Sequence, residues 1–499
     1  MSEQVSASEQ RVSTGITGLD RILHGGVLRH RLFLLEGTPG TGKTTIAMQF
    51  AIEGVQQGET VLYISLGETE DELQAGAASH GWSLDGLHIH ELVPLEAQLD
   101  RQQTVLQPSE VELGETMQLV CERIAQIRPA RLVIDSLSEL RLLARDPLRF
   151  RRQILSLKSF LAGRGCTTLV LDDMTSPSGA QELHSLVHGV ISLEQRRREY
   201  GAVRRRLNIG KMRGSTFQSG YHDFLIATGE LQVFPSLIAE RQRSVGTTET
   251  ISSGLPELDA LLGGGLTRGT TTMIIGPSGV GKSSLALQYV MAAVGRGEFS
   301  AMFAFDENFS TLALRAAGLG HDLPAALDSG RLVWENVKPT RLSPGEFIGC
   351  VRHYVEERNA RVVVIDSLNA YLSTMPQEQE LGLQLHELLD YLDNRGVAAI
   401  LVLAQHGLIG DLQSPLDLSF LSDTIVLLRF FEAGGQVRKA ISVVKKRSGV
   451  HEASIREYQL FPNRMRVGPV LLEFQGVLTG VPTYIGATEP LLGPASNGS

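Results

Sequence analysis

The segment Gly37-Thr38-Pro39-Gly40-Thr41-Gly42-Lys43-Thr44 fits the pattern G-x-x-x-x-G-K-[ST] in full, and Gly276-Pro277-Ser278-Gly279-Val280-Gly281-Lys282-Ser283 fits it again. Glycines in such a loop let successive backbone N–H groups point at phosphate oxygens, while the lysine reaches the β- and γ-phosphates and the next hydroxyl binds Mg²⁺. A strand-like run precedes each loop and a helix-like pattern follows it. A chance glycine-rich turn is not expected twice in this context, so the chain is predicted to bind nucleotide twice.

Both loops are therefore expected to bind ATP together with Mg²⁺. The predicted nucleotide-binding residues are Thr38, Gly40, Thr41, Gly42, Lys43, Thr44 and Thr45 in the first loop and Ser278, Gly279, Val280, Gly281, Lys282, Ser283 and Ser284 in the second.

The composition is that of an ordinary soluble globular protein, with 499 residues, 42% hydrophobic and 20% charged. This length suggests two to four domains. The net charge of −9 gives no overall attraction to nucleic acid. No secretory signal and no membrane span are evident. Cys121, Cys166 and Cys350 have no metal-type spacing and are interpreted as core residues of a cytoplasmic protein.

The second half of the chain repeats the first. The second loop begins at residue 276, which is 239 positions after the first at residue 37. The same shift relates Gly15-Ile16-Thr17-Gly18-Leu19-Asp20 to Gly254-Leu255-Pro256-Glu257-Leu258-Asp259, and Glu68 to Glu307. A repeat of this length indicates a duplicated domain. We expect one domain over residues 1–240, a second over 241–485, and a flexible tail over 486–499.

Strand-like and helix-like patterns alternate within each half. In the first half we predict strands near 31–36, 61–66, 87–92, 131–135, 167–172, 188–194 and 204–211, and helices near 43–57, 69–80, 111–128 and 147–163. Such alternation predicts an α/β fold, in which each of two tandem domains has a mostly parallel central sheet flanked by helices. Ligands of such sheets bind at the carboxyl ends of the strands, and we expect every motif here to lie at such an end.

Two acids are predicted to help bind the metal. Asp135 and Asp366 each end a buried apolar strand, where an acid can join the loop hydroxyls of Thr44 and Ser283 around Mg²⁺. The alternative is that each aspartate caps a helix or turn, since a serine follows it.

Other acids are candidate catalytic residues. Glu68 and Glu307 follow the strand after the first helix of each repeat, and Asp306 precedes Glu307. A carboxylate aimed at the phosphate pocket can polarise a water or a hydroxyl. Glu68 could instead cap the helix that begins at Thr69, and Gly67 occupies the position of the other acid.

Two pairs of cations recur at corresponding places in the halves. Lys211 and Arg213 alternate on a late strand, as do Lys445 and Arg447, so both cations of a pair can face one anion. A solvated edge strand would carry similar charges. The recurrence favours an arginine finger acting on a neighbour's nucleotide, which implies an oligomer.

With these motifs, the chain resembles the KaiC family of tandem RecA-type ATPases, which includes the cyanobacterial clock protein and KaiC-like proteins of other bacteria. The likeness extends from about Ser13 to Gly486. It implies two RecA-like domains in a hexameric double ring, with ATPase activity in the first ring and autokinase and autophosphatase activity in the second. KaiB-like or signalling proteins are the implied partners. The paired catalytic acids of the family fall on Gly67-Glu68 and Asp306-Glu307.

The resemblance also implies a phosphorylation site. The Ser-Thr pair that the family phosphorylates falls on Ser419-Phe420, so only the serine remains as an acceptor. Ser414 and Ser422 are nearby substitutes, and Ser419 could also be an ordinary loop hydroxyl. The leading hypothesis is an ATPase with serine autokinase activity that serves as a signalling or timing hub.

Two other classes of function remain open at this point. A nucleic-acid motor is suggested by Arg196-Arg197-Arg198 and Arg204-Arg205-Arg206, although these runs flank Tyr200-Gly201 and fit the charged ends of a hairpin better. Nucleic acid is therefore not an expected partner. A scaffold that binds ATP for assembly and hardly turns it over is suggested by Gly67.

Overall fold

The computed structural model describes residues 11–92, 108–144, 146–174, 183–197, 201–237, 249–338, 341–373, 381–405, 419–433, 435–477 and 483–485. The chain divides into two compact units, Met1–Ser236 and Leu237–Ser499. Each unit is described by itself.

The first unit alternates strands and helices as the sequence predicts. Its strands are β1 (Arg11–Val12), β2 (Val27–Leu28), β3 (Leu32–Gly37), β4 (Val61–Ser65), β5 (His88–Glu91), β6 (Arg131–Asp135), β7 (Thr167–Asp173), β8 (Gly189–Arg196), β9 (Arg204–Met212), β10 (Tyr221–Ile226) and β11 (Leu231–Phe234). Its helices are α1 (Thr17–Ile22), α2 (Lys43–Gln56), α3 (Glu70–Ser79), α4 (Pro108–Ile127), α5 (Leu137–Ala144) and α6 (Pro147–Leu161).

The second unit follows the same order. Its strands are β12 (Thr250–Ile251), β13 (Leu266–Thr267), β14 (Thr271–Gly276), β15 (Phe299–Ala304), β16 (Leu332–Asn336), β17 (Ala360–Asp366), β18 (Ala398–Ala404), β19 (Thr424–Ala433), β20 (Gln436–Lys446), β21 (Arg456–Phe461), β22 (Arg464–Val470), β23 (Phe474–Gln475) and β24 (Thr483–Tyr484). Its helices are α7 (Pro256–Leu261), α8 (Lys282–Gly295), α9 (Phe309–Gly318), α10 (Leu323–Asp328), α11 (Pro344–Glu356), α12 (Leu368–Ser373) and α13 (Leu381–Asn394), with a 3₁₀ turn at Ser419–Leu421.

Each unit is built on a nine-stranded sheet, and the two sheets have the same topology. The first sheet has the order β11-β10-β9-β8-β3-β7-β6-β4-β5, and the second has β22-β21-β20-β19-β14-β18-β17-β15-β16. In the first, the six strands from β8 to β5 are parallel, whereas β9, β10 and β11 extend the sheet in antiparallel fashion. The second sheet repeats this division. The predicted α/β architecture is confirmed.

Alternate side chains of the central strands pack into two hydrophobic cores, one on each face of the sheet. Phe33 and Leu35 of β3 belong to the core beneath α2, while Leu32 and Leu34 point to the opposite core, beneath α4 to α6. Both faces of a parallel strand must be apolar when helices cover both sides, which is why these strands read as continuous hydrophobic runs. Cys166 is buried in the second of these cores, where burial raises its thiol pKa to about 11.

The strands and helices predicted for the first half agree closely with the structure. The elements that were not predicted are short, and all but α5 lie at the two ends of the unit: α1, α5, β1, β2, β10 and β11. Among the helices that the structure describes, none has the length and apolar character needed to span a membrane.

A buried arginine holds the first residue of β6 in the first unit through several hydrogen bonds. The side chain of Arg131 is fully buried, its Nε bonds the carboxylate of Glu59, and its Nη1 donates to the carbonyl oxygens of Ser13 at 2.8 Å and Phe50 at 3.0 Å. The corresponding position of β17 is Val362. The polar network is therefore specific to the first repeat.

Replacing Arg131 with Met should lower the free energy of unfolding of the first unit by about 3 kcal/mol, because it leaves buried carbonyl groups without their donor and removes one of the two arginines that bond Glu59. Denaturant unfolding followed by tryptophan fluorescence measures this change. The chain has two tryptophans, so a Trp334→Phe background makes Trp82 the reporter of the first unit. The exposed Arg164→Ala is the control and should change the free energy by less than about 0.5 kcal/mol; equal effects would contradict the prediction.

Candidate functional site

The first phosphate-binding loop joins β3 to α2 at the carboxyl edge of the parallel strands. Gly42 has a φ of 105°, which glycine adopts without strain, and a Cβ there would come within 2.7 Å of Ile226 Cδ1. Lys43 Nζ donates to the carbonyl oxygens of Gly37 at 2.8 Å and Thr38 at 3.1 Å. The lysine thus curls over the loop, and its ammonium lies at the centre of the predicted phosphate site.

The second loop, between β14 and α8, has the same conformation. Gly281 has a φ of 114°, and Lys282 Nζ donates to the carbonyl oxygen of Pro277 at 2.8 Å. Burial lowers the pKa of Lys282, and a negative charge from Asp366 opposes that shift. A cavity of about 490 Å³ adjoins the loop and is lined by Lys282, Asp306, Glu307, Arg315 and Asp366 among others. Its volume is in the range of small-molecule and cofactor sites.

The predicted metal ligands meet in both loops. Thr44 Oγ1 donates to Asp135 Oδ2 at 2.9 Å, and the Asp366 carboxylate likewise accepts a hydrogen bond from Ser283. Burial raises the pKa of both aspartates, and the hydroxyl bonds partly offset that shift. Hydroxyl and carboxylate oxygens suit Mg²⁺, which takes its remaining ligands from phosphates and water. These residues fit the ion that the motif implies, and the contacts do not support helix capping by Asp135.

One buried contact of the metal-site aspartate was not predicted. The hydroxyl of Tyr63, on β4, donates to Asp135 Oδ2 at 2.7 Å, and its ring is almost fully buried. The second repeat has Met302 at the corresponding position, so Asp366 lacks this partner. A tyrosine in a buried strand pattern looks like a core residue, so this bond could not be predicted from residue spacing.

The alternative role of Glu68 as a helix cap is wrong. The N-cap of α3 is Thr69, whose side chain accepts from the Glu72 backbone while the Glu72 carboxylate accepts from the Thr69 backbone. Glu68 is left at the mouth of the first site. Burial raises the pKa of its carboxyl group, and repulsion from Asp135 adds to the shift.

In the second site the two candidate acids have different partners. Both Glu307 oxygens accept from Arg315, at 2.8 and 2.7 Å, in a bidentate ion pair. Asp306 Oδ2 instead accepts from Ser367 Oγ at 2.8 Å. Arg315 was not singled out from the sequence, and its counterpart in the first repeat is Gly76. Of these two candidate acids, Asp306 is therefore the one for which the described residues show no ion pair.

The expectation that every motif lies at the carboxyl edge is wrong for the Lys-x-Arg pairs. In the second sheet Lys445 pairs with Ile425, at the start of β19, and β19 runs parallel to β14. Because β20 is antiparallel, its end returns to the edge where β14 begins, opposite the P-loop. The first sheet repeats this arrangement, with Lys211 opposite Val190 at the start of β8.

Both arginines of these pairs are exposed at that opposite edge. Arg447 lines a cavity of about 570 Å³ together with Arg268, Arg361 and Asp423. Its Nη1 lies 3.7 Å from Asp423 Oδ1. In the first repeat, Arg213 Nη2 donates to the Ser185 carbonyl at 3.4 Å, and Lys211 Nζ donates to that of Val187 at 3.0 Å. Neither pair lies near the loop of its own repeat.

The arginine-rich runs are part of a hairpin. Arg196 pairs with Arg204 and Glu194 with Arg206 in the antiparallel β8–β9 ladder. Arg206 also bonds Glu194 at 2.9 Å, and its guanidinium lies 4.1 Å from the ring centroid of Tyr221. These contacts within the sheet support the hairpin interpretation over a nucleic-acid surface; Arg198 lies outside the described residues.

The predicted phosphorylation segment lies at the edge that carries Arg447. Ser419 begins the 3₁₀ turn, and Phe420 beside it is 61% exposed. The Asp423 amide donates to the Thr271 carbonyl at 2.8 Å, and the Arg447 amide donates to that of Asp423 at 2.9 Å. Ser422 is fully buried, and Ser414 lies outside the described residues.

Comparisons with known proteins agree with this geometry. A family model described as "ATPase: KaiC" matches residues 12–238 and 251–470. Circadian clock protein KaiC3 of Synechocystis sp. is 26% identical, over 98% of this chain and 98% of its own. Circadian clock oscillator protein KaiC of Thermostichus vulcanus is 26% identical over 98% and 94%, and Circadian clock protein KaiC2 of Synechocystis sp. is 26% identical over 95% and 84%.

Replacing Arg315 with Ala should lower the free energy of unfolding of the second unit by about 1–3 kcal/mol, because it removes two charged hydrogen bonds and leaves the half-buried Glu307 carboxylate unpaired. A Trp82→Phe background makes Trp334, which packs against the second core, the fluorescent reporter. Leu314→Ala, on the same helix and 77% exposed in the parent, is the control. If both variants unfold at the same denaturant concentration, the ion pair has no net stabilising effect.

Proposed function

The chain belongs to the KaiC family of ATPases, and we propose that it works as a homohexameric double ring whose second repeat also phosphorylates serine in its own protein. The curated relatives are named as circadian clock proteins, which supports a signalling or timing role with regulatory protein partners such as a KaiB-like protein. The free cysteines of the described chain are compatible with the cytoplasm. ATP and Mg²⁺ are the proposed substrate and cofactor.

The observation that carries the proposal is the separation of each P-loop from its Lys-x-Arg pair. The six residues of β14 lie between them, and the five intervals between their Cα atoms, at about 3.3 Å each, separate the two edges by roughly 17 Å. Arg447 therefore cannot serve the second loop of its own chain. An adjacent copy that presents its loop edge to Arg447 would complete the site, and the same holds for Arg213 in the first repeat.

Each chain supplies most of a phosphoryl-transfer site at its loop edge. Lys43 and Lys282 would neutralise the β- and γ-phosphates, and the pairs Thr44–Asp135 and Ser283–Asp366 would hold Mg²⁺. When bound, the metal supplies positive charge to the phosphate oxygens.

The acids at the mouth of each site would receive the proton of the attacking group. Glu68 serves the first site in this scheme. In the second site Asp306 is better placed than Glu307, because Arg315 holds both Glu307 oxygens.

Ser419 is the proposed phosphate acceptor. Its turn precedes β19 and lies at the same edge as Arg447, so the donor would be the ATP of the adjacent copy rather than its own. Phe420, which has no hydroxyl, stands where the family has its second acceptor. The burial of Ser422 argues against it as a substitute.

Incubation with Mg-ATP, followed by phosphosite mapping with mass spectrometry, tests this assignment. We expect phosphate on Ser419 in the parent protein and none in Ser419→Ala, with ATP hydrolysis retained in both. Absence of phosphate from Ser414, Ser419 and Ser422 would leave an ATPase without autokinase activity.

The two loop lysines should have different roles. Lys43→Ala should weaken ring assembly more than serine phosphorylation, and Lys282→Ala should do the reverse, since the first repeat is proposed to bind ATP mainly for assembly and turnover and the second for transfer. Light scattering measures assembly, and phosphate analysis of the same samples measures transfer. Identical behaviour of the two variants would contradict the division of labour.

Mixing two inactive variants tests action between copies. Arg447→Ala keeps its own loop, and Lys282→Ala keeps its own arginine, so each alone should lose phosphorylation. Mixed rings contain boundaries at which an intact loop meets an intact arginine, and we expect phosphorylation to reappear there. Exposed Arg466→Ala is the control and should keep activity alone. No recovery in verified mixed rings would show that Arg447 does not act on a neighbouring copy's nucleotide.

A further inference from the structure

The first nucleotide site contains an acid that the sequence did not point to. Asp173 ends β7, directly opposite Gly37 at the start of the first loop. Its Oδ1 lies 2.6 Å from Lys43 Nζ. In the second repeat the residue opposite Gly276 is Ala404, so Lys282 has no such partner. The carboxylate is thus a feature of the first site that its duplicate lacks.

Asp173 also contacts Ser136, whose counterpart in the second site is Ser367. Ser136 and Ser367 each follow the metal-site aspartate of their repeat. Ser367 Oγ donates to Asp306 Oδ2 at 2.8 Å, and Ser136 Oγ approaches Asp173 Oδ2 at 3.4 Å. The equivalent serines therefore face a carboxylate in both sites, but the carboxylate comes from the end of β7 in one and from the segment after β15 in the other.

The position that supplies this acid in the second repeat is Gly67 in the first. Asp306 and Gly67 are related by the shift that aligns the two loops. The contacts of Asp173 with Lys43 and Ser136 place its carboxylate in the same site as Glu68, whose pKa is raised by burial and further by nearby acids that include Asp173. The first site therefore lacks the acid that Asp306 supplies in the second site, and it contains Asp173 instead.

We propose that Asp173 is the second catalytic carboxylate of the first site, in place of the acid missing at Gly67. This inference rests on the proposed ATPase function. When ATP binds, its phosphates replace Asp173 as the partner of Lys43, and the freed carboxylate accepts a hydrogen bond that orients the attacking water, whose proton passes to Glu68. The water oxygen bonds to the γ-phosphorus, the bond from that phosphorus to the β–γ bridging oxygen breaks, and ADP and inorganic phosphate leave.

A simpler role for Asp173 is to neutralise Lys43 until nucleotide arrives. In that case removal of the carboxylate would tighten nucleotide binding and leave turnover unchanged. A catalytic role requires turnover to fall while binding is kept. The two roles therefore differ in whether substitution of Asp173 changes kcat or changes the affinity for nucleotide.

The experiment uses the full chain with Lys282→Ala, so that hydrolysis comes from the first site. In this parent, Asp173→Ala should lower kcat about 100-fold, while affinity for a non-hydrolysable ATP analogue, measured by calorimetry, stays equal or increases. Asp71→Ala, which removes an exposed acid of α3, is the control and should change neither quantity.

Rescue from the other position makes the test specific. A Cβ added at Gly67 would have only Glu139 Cγ within 4 Å, at 3.8 Å, so the backbone there has room for a side chain to begin. Adding Gly67→Asp to Asp173→Ala should restore at least a tenth of the parental kcat, which a purely structural role of Asp173 would not allow.

The outcomes separate this inference from the function on which it rests. A parent that hydrolyses ATP, with Asp173→Ala at the parental kcat, overturns the role of Asp173 and keeps the ATPase. A fall in kcat that Gly67→Asp does not restore also counts against it. A Lys282→Ala parent that binds the analogue but hydrolyses no ATP overturns both the role of Asp173 and the ATPase activity of the first repeat on which it rests.

Discussion

In each sheet, one antiparallel strand determines that the arginine of the Lys-x-Arg pair lies at the edge opposite the P-loop. Six parallel strands bring the P-loop, the candidate metal-binding aspartate and the candidate bases to one edge of each sheet. The antiparallel strand β9, and its counterpart β20, then returns the chain to the other edge, where Arg213 and Arg447 lie. A single copy therefore carries the parts of a phosphoryl-transfer site without bringing them together, and the proposed oligomer follows from this separation.

Local sequence patterns were sufficient for the fold and for the loop itself. A strand, a glycine-rich turn and a helix are contiguous, so Lys43, Thr44 and the strand that ends at Asp135 could be recognised by spacing alone. Tyr63, Asp173 and Arg315 could not be found in this way. The first two depend on which strands become neighbours and in which register, and Arg315 depends on the path of a helix over the site. The edge occupied by the Lys-x-Arg pairs was wrongly predicted because residue spacing does not reveal strand direction.

The duplicated halves have kept their framework and diverged at their ion pairs. Arg29 bonds Glu59 as Arg268 bonds Glu298, at equivalent positions of the two repeats. Around the nucleotide sites the pairs differ: in the first an acid holds the loop lysine, and in the second an arginine holds a candidate base. A charged side chain at either position would lie close to the phosphates and the attacking water of the proposed reaction. Substitutions that add or remove such a charge can therefore give two similar pockets different rates of ATP hydrolysis.

The opposite placement of the loops and the arginines has a consequence for partial assemblies. A contact that joins two unlike edges is heterologous, so each added copy leaves one unmatched edge at either end of the row. An open row would have one incomplete site for each repeat, whereas a closed ring would have none. Formation of the last contact between copies would thus complete the final nucleotide site. Each time the ring opens for subunit exchange, one site would lose its arginine and become inactive until the ring closes again.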